Sequence, residues 1–271
     1  MTLKIPSLVY TLRSVVGCRV FPWLCTLFFI LHANAAPGAP ASFPQNEADS
    51  LIFLPLLVAP SAPSDAPIPF GPLHSGEGTY YEATGAGNCA FPATPDNLMV
   101  AALNMTDYAN AALCGAYIQV TGPDGVVVVR VVDSCPPCAA GDVDLSQEAF
   151  ALIADPAAGR VPITWQLVSY PLPDPIVYHF KDGSNQWWTA VQIRNHRNPI
   201  VTVEWLDGDG VFQPIPRTDY NYFVAASGLG TGPYTFRVSD IFGNRLVDSG
   251  IPHVENGDAP GSGQFPPPFV E

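Results

Sequence analysis

Between Gly76 and Asp248 the chain is a succession of short runs, most of them rich in Val, Ile and Tyr and closed by Gly, Pro or Asp. That pattern predicts β-strands joined by tight turns, and so a mainly all-β protein. The runs fall into two sets, residues 76–81, 97–103, 116–121, 126–133 and 162–170, then 176–181, 187–195, 200–206, 211–214, 220–225, 234–239 and 245–248. Gly122-Pro123-Asp124-Gly125 predicts a hairpin turn in the first set, because Pro presets φ and Gly tolerates positive φ. One stretch departs from strand character: residues 145–153 place apolar side chains at helical spacing, with Ser146 and Glu148 near the start, which predicts a short helix. Gly228-Leu229-Gly230-Thr231-Gly232 is not followed by a helix and is read as a loop, not a phosphate cradle.

The 271 residues divide into four segments. Lys4 and the stretch from Arg13 to Arg19 are a basic leader, residues 20–31 are apolar, and His32-Ala33-Asn34-Ala35-Ala36 supplies small residues for cleavage. Residues 1–36 therefore read as a secretory signal, since an apolar run this short, interrupted by Pro22, cannot span a bilayer that takes about twenty residues. Residues 37–72 are rich in Pro, Ala and Ser and read as a linker, its apolar patch at 51–59 broken by Pro55. Residues 73–171 and 174–271 are the two folded units, joined by the stiff connector Pro171-Leu172-Pro173-Asp174-Pro175.

Eleven Lys and Arg against 24 Asp and Glu give a net charge of −13. All three leader cations precede Asn34, so the mature chain carries −16. A nucleic-acid partner is excluded on that balance, polyanionic pectins are disfavoured, and neutral polymers are favoured. Cys89, Cys114, Cys135 and Cys138 remain after export. An even count in an exported protein reads as two structural disulfides of open pairing, in preference to a zinc half-site or redox pair at Cys135-Pro136-Pro137-Cys138. No second CxxC follows, and the five histidines are scattered. No metal is expected. Asn104-Met105-Thr106 is a glycosylation sequon whose use depends on the organism.

Gly78-Thr79-Tyr80, the run ending Val131-Val132-Asp133-Ser134-Cys135-Pro136, the Asp144-Leu145-Ser146 turn into Ala149-Phe150, and Ile163-Thr164-Trp165 together resemble the barrel of expansins. The resemblance implies a six-stranded double-psi β-barrel with a polysaccharide groove lined by Thr79, Tyr81, Asp133 and Asp144. A competing role for Asp144 is to cap the helix that starts near Leu145, since Asp favours that position. The simplest bacterial expansins carry a tyrosine where this chain has Cys135.

A related barrel occurs in glycosyl hydrolase family 45, whose acid aligns with Asp144. Cleavage normally needs a second carboxyl group across the scissile bond. Anchoring on Thr79 places Ala83 at the base position, and the nearest acid, Glu82, lies one residue off and so on the other face of a regular strand. A lone carboxylate remains compatible with a lytic transglycosylase. Otherwise Asp144 and Asp133 accept hydrogen bonds from sugar hydroxyls without cutting.

In the second unit, the stretch from Gly183 to His196 and Asp219-Tyr220-Asn221-Tyr222-Phe223 resemble the expansin C-terminal domain, an immunoglobulin-like β-sandwich and family 63 carbohydrate-binding module. The resemblance implies an aromatic platform of Trp187, Trp188 and Tyr220, with Lys181 close by. Flat rings in a row bury the C–H faces of pyranoses without charge. Adjacent tryptophans in a regular strand face opposite ways, so both can be presented only from a loop or bulge. Trp205 is expected in the core, and Arg194, His196 and Arg197 on the solvated surface. The combined expectation is a secreted, monomeric, cofactor-free wall-loosening protein that binds cellulose, and in one extension xyloglucan, with no membrane contact after signal removal. The alternative is a glucan- or peptidoglycan-cleaving enzyme using Asp144.

Overall fold

The computed structural model describes residues 66–268. The signal reading, and the linker reading as far as residue 65, lie outside the described residues. Six strands close a barrel: β1 (Ile68–Tyr81), β2 (Val100–Asn104), β3 (Tyr117–Thr121), β4 (Val126–Cys135), β5 (Val143–Ser146) and β6 (Val161–Ser169), in the order β1-β5-β2-β4-β3-β6. Strand β4 shows why this sequence closes. Val127, Val129 and Val131 are buried inside while Val126, Val128 and Arg130 face out, the period-two pattern of a half-buried strand. Trp165, Phe150, Leu103, Ile118 and Leu145 complete the interior. The turn at Gly122–Gly125 joins β3 to β4, with Gly122 N–H donating to Gly125 O at 3.0 Å.

Two sequence expectations shift. Strand β1 begins at Ile68, so the last residues assigned to the linker pair with β6 instead, across a bulge between Phe70 and His74 where Gly71 takes φ 75°. The predicted helix shrinks to one turn, α2 (Gln147–Phe150), because Leu145 and Ser146 belong to β5, paired parallel with β1 and antiparallel with β2. Two ladders satisfy this backbone, so the helical spacing of the side chains does not decide it. Ser146 is the N-cap, its Oγ accepting from Ala149 N–H at 3.1 Å, and the capping role considered for Asp144 is thereby corrected.

Beyond the connector, β7 (Val177–Phe180), β8 (Thr189–Arg194), β11 (Phe223–Ala225) and β14 (Gly257–Pro260) form one antiparallel sheet, in the order β11-β8-β7-β14. Strands β9 (Ile200–Leu206), β10 (Phe212–Ile215), β12 (Tyr234–Asp240) and β13 (Arg245–Ile251) form the other, in the order β10-β9-β12-β13. Between them pack Tyr178, Phe180, Ile193, Val203, Phe236 and Phe265. Trp205, expected in the core, packs at its margin and is half-buried.

Barrel and sandwich belong to one compact unit. Their junction is polar: Gln192 Nε2 donates to Cys89 O at 2.8 Å, Arg217 Nη1 to Ala111 O at 2.7 Å, and Arg197 Nε to Ser169 Oγ at 3.1 Å. His196 is buried at this junction, where a side chain on Gly115 would meet its Nε2 at 2.6 Å. The expectation that Arg194, His196 and Arg197 are solvated is therefore corrected. The barrel covers His196 and Arg197, and Arg194 is half-buried beside Gln192 and Asp258.

Asn104 is also buried. It caps the one-turn helix α1 (Met105–Tyr108), accepts from Asp107 N–H, and donates to Asp107 Oδ2 at 2.6 Å and to Asp142 O at 3.1 Å. The folded protein presents no glycan acceptor at that sequon. The cysteines pair as Cys89–Cys114 and Cys135–Cys138.

Candidate functional site

The groove is set by strand register. Thr79 on β1 is level with Asp144 on β5, Ala102 on β2 is level with both Asp144 and Asp133, and β2 lies between β5 and β4. Residues level across neighbouring strands share a face. Thr79, Asp144, Ala102 and Asp133 therefore make one row across four strands, with the carboxylate Cα atoms about 10 Å apart at two inter-strand spacings. Ala102 is buried yet lies outside the barrel's inner core, so it floors the row. Sequence reasoning missed it because an alanine in an apolar run carries no chemical signal.

Thr79 Oγ1 donates to Asp144 Oδ1 at 2.6 Å. Burial pushes the Asp144 carboxyl above the usual carboxylate range; the Thr79 hydrogen bond and the charge of Arg160 oppose the shift, and Asp133 adds to it. Asp133 is held differently, Oδ1 accepting from Asn88 N–H at 2.6 Å and Ser134 N–H at 2.8 Å. A side chain on Gly87 would run into its carboxyl carbon at 2.4 Å. Tyr81 reaches the same region. Its hydroxyl is buried with no hydrogen-bond partner among the described residues, and burial first, then the charges of Asp133 and Asp144, raise its pKa. Glu82 is exposed, and the charges acting on Asp144 are those of Arg160 and Asp133. Ala83 packs against the barrel core. The short Cys135–Cys138 loop closes the end of β4, with Cys138 N–H donating to Cys135 O at 3.1 Å.

Trp187 and Trp188 stand on a turn ahead of β8, which resolves the alternation problem. Asn185 builds that turn, its Oδ1 accepting from Trp187 N–H at 2.9 Å and Trp188 N–H at 3.2 Å. Trp187 is 71% exposed, Trp188 is half-buried, and neither stacks on another ring among the described residues. The glycine-rich loop supplies the brace. Gly230 N–H donates to Gln186 O at 3.1 Å, and a side chain on Gly228 would strike Gln186 O at 2.0 Å. Tyr220 lies in the turn before β11, its ring 5.9 Å from that of Tyr222. Lys181 Nζ is 6.0 Å from the Tyr222 ring. Tyr222 is thus the shared neighbour of Tyr220, an expected platform residue, and of Lys181, and was not itself expected in the site.

Asn88 links the two regions. Its backbone N–H holds Asp133, while its side chain donates to Asp219 O at 3.0 Å, one residue before Tyr220, and to the Tyr108 hydroxyl at 2.9 Å. Tyr108 also donates to Asp219 O at 2.9 Å. Among the described residues no group of three or more His, Cys, Asp or Glu side chains is disposed to hold a metal ion.

Residues 97–165 match the family described as lytic transglycolase. Over 206 residues the chain is 37% identical to Expansin-YoaJ of Bacillus subtilis, covering 72% of this chain and 87% of the relative. It is 36% identical to the crystal structure of apo expansin from Clavibacter michiganensis, with a TM-score of 0.68 over 73% of this chain and 100% of that one. A mutant of the Clavibacter protein, 35% identical to this chain with a TM-score of 0.68 and the same coverage, was crystallised in complex with cellohexaose.

Proposed function

This chain belongs to the expansin family, and on that premise we propose that it is an exported, non-hydrolytic wall-loosening protein. It binds cellulose through Trp187, Trp188 and Tyr220, with Lys181 beside them, and disturbs glucan contacts in the groove of Thr79, Tyr81, Asp133 and Asp144. The observation that carries the reading is the groove row itself, with Asp144 level with Thr79 and hydrogen-bonded to it. Thr79 holds Asp144, the other carboxylate of the row, Asp133, has its Oδ1 committed to two backbone N–H donors, and Glu82 is turned out to solvent. A carboxylate so placed accepts sugar hydroxyls, and a cellulose chain offers them along its whole length. The exposed Trp187 on its braced turn supplies the apolar face for pyranose stacking. Two disulfides fit an oxidising compartment. Among the described residues no helix is long and apolar enough to cross a membrane.

A second reading is favoured by one observation. The barrel matches the lytic transglycolase family, and a raised Asp144 carboxyl is suited to donating a proton. Extension of isolated walls under constant load separates the roles within the first reading. Asp144→Ala is expected to abolish extension while cellulose retention stays at the wild-type level. Extension unaffected by Asp144→Ala would leave an adhesive module and remove the groove from the proposal.

A further inference from the structure

Away from the groove and the platform, one cation is distinguished by its missing partner. Arg130 projects from the outer face of β4, half-buried, and among the described residues its guanidinium donates to no carboxylate or carbonyl; the Phe91 ring lies 4.9 Å away, and Tyr117, Arg194 and His196 are within electrostatic reach. The other partly buried arginines are all engaged: Arg194 with Gln192 Oε1 at 2.5 Å, Arg197 with Ser169 Oγ, Arg217 with Ala111 O and Ile200 O, and Arg237 with Glu204 at 2.6 Å. A protein with 24 carboxylates has no shortage of partners, so an Arg held between two hollows without one calls for a ligand.

The hollows supply the shape. One, of about 300 Å³, is walled by Thr94, Asn97, Tyr117 and Tyr170; the other, of about 260 Å³, by Phe91, Gly115, His196 and the Arg194–Asp258 pair. Thr94, Tyr117 and Arg130 line both. Tyr117 and Tyr170 are stacked, ring centres 4.3 Å apart and 14° from parallel. None of Thr79, Asp133, Asp144, Trp187 or Tyr220 lines either hollow. Burial lowers the Arg130 pKa, and Tyr117 opposes the shift.

A guanidinium fork matches a carboxylate with two parallel N–H donors, Thr94 and Asn97 offer hydroxyl and amide groups, and the tyrosine pair offers an apolar surface for a sugar ring. The volume is at the small end of ligand sites, which suits one sugar residue and not a polymer. We propose that this cleft binds a uronate residue, a single carboxylate-bearing sugar carried on an otherwise neutral polysaccharide. A polyuronate is a different matter, because its repeated charges meet the net negative field of the chain and Asp258 in the second hollow, while a lone carboxylate in the first hollow meets Arg130 as its only charged lining residue.

The test uses the ¹⁵N-labelled full chain and follows the arginine side-chain Nε–Hε signals during titration with D-glucuronate, glucose and acetate. Glucuronate is expected to shift one arginine signal saturably, with glucose and acetate binding at least about tenfold more weakly. In Arg130→Lys that signal is absent, glucuronate affinity falls about tenfold, and retention on cellulose is unchanged, because the cleft and the platform are separate. No saturable shift with glucuronate in the wild type overturns the site, with no need of a variant. Acetate binding as tightly as glucuronate overturns the sugar assignment, and undiminished glucuronate binding by Arg130→Lys overturns the role of the fork.

Discussion

The groove and the platform are built by opposite means. Groove side chains are fixed by strand register, so Thr79, Asp144, Ala102 and Asp133 can move only if the barrel ladder moves. Platform rings stand outside the strands, on a turn held by the Asn185 side chain and by the backbone of the glycine loop around Gly228. Register gives a site its precision and ties function to global stability, whereas a braced turn gives exposure and ties function to a few local contacts. Groove function should therefore follow barrel stability, and platform function should be separable from it.

The largest expected effect tests the first half of that statement. Both disulfides lie in the barrel, and Cys89–Cys114 closes a loop over a sequence separation of 25 against 3 for Cys135–Cys138. Chain-entropy arguments assign about 3.5 kcal/mol to the longer loop and about 2 kcal/mol to the shorter one. Denaturant unfolding of Cys89→Ala/Cys114→Ala and Cys135→Ala/Cys138→Ala is expected to rank them in that order. The reverse ranking would mean that the short loop at the groove end is the tighter constraint.

The junction between the regions comes next. Burial holds the His196 imidazole at about 4, below its ordinary 6.5. Between those values the unfolded chain binds the proton and the folded protein does not, so the stability contributed by neutral His196 is fully present above pH 6.5 and is lost as pH falls towards 4. The loss is on the order of 3 kcal/mol. Thermal melts across that window should steepen in the wild type and flatten in His196→Gln. Equal slopes would remove His196 as the junction's acid-sensitive element.

The platform is tested by two smaller changes. Trp187→Ala is expected to weaken cellulose retention roughly 30-fold, about 2 kcal/mol, with the melting temperature unchanged. Gly228→Ala touches no ring. At φ 73°, with Gln186 O in the way, the added methyl must displace the turn that carries Trp187, and retention is expected to fall about tenfold. Retention at the wild-type level in Gly228→Ala would mean that Asn185 alone sets the turn.

The same contrast explains what could be read from the sequence. Strand-borne features were legible: the valine-rich run over 126–133 marked β4, and the Val-Val-Asp-Ser-Cys and Asp-Leu-Ser motifs marked Asp133 and Asp144. Four-residue β5 was hidden inside a helical side-chain pattern, because ladder pairing is long-range and leaves no local trace. The solvated reading of His196 and Arg197 followed from composition and could not anticipate that the barrel covers them. Gly228 and Asn88 were invisible as supports, since a glycine's packing and an asparagine's partner depend on what folding brings alongside.

In the proposed function this barrel grips glucan without cutting it. Reducing-end release from cellulose, xyloglucan and peptidoglycan, measured beside wall extension with the wild type and Asp144→Ala, tests it most directly. Extension without release is expected in the wild type, with loss of extension in the variant. Release by the wild type that disappears in Asp144→Ala would contradict it and make Asp144 the acid of a hydrolase or a lytic transglycosylase.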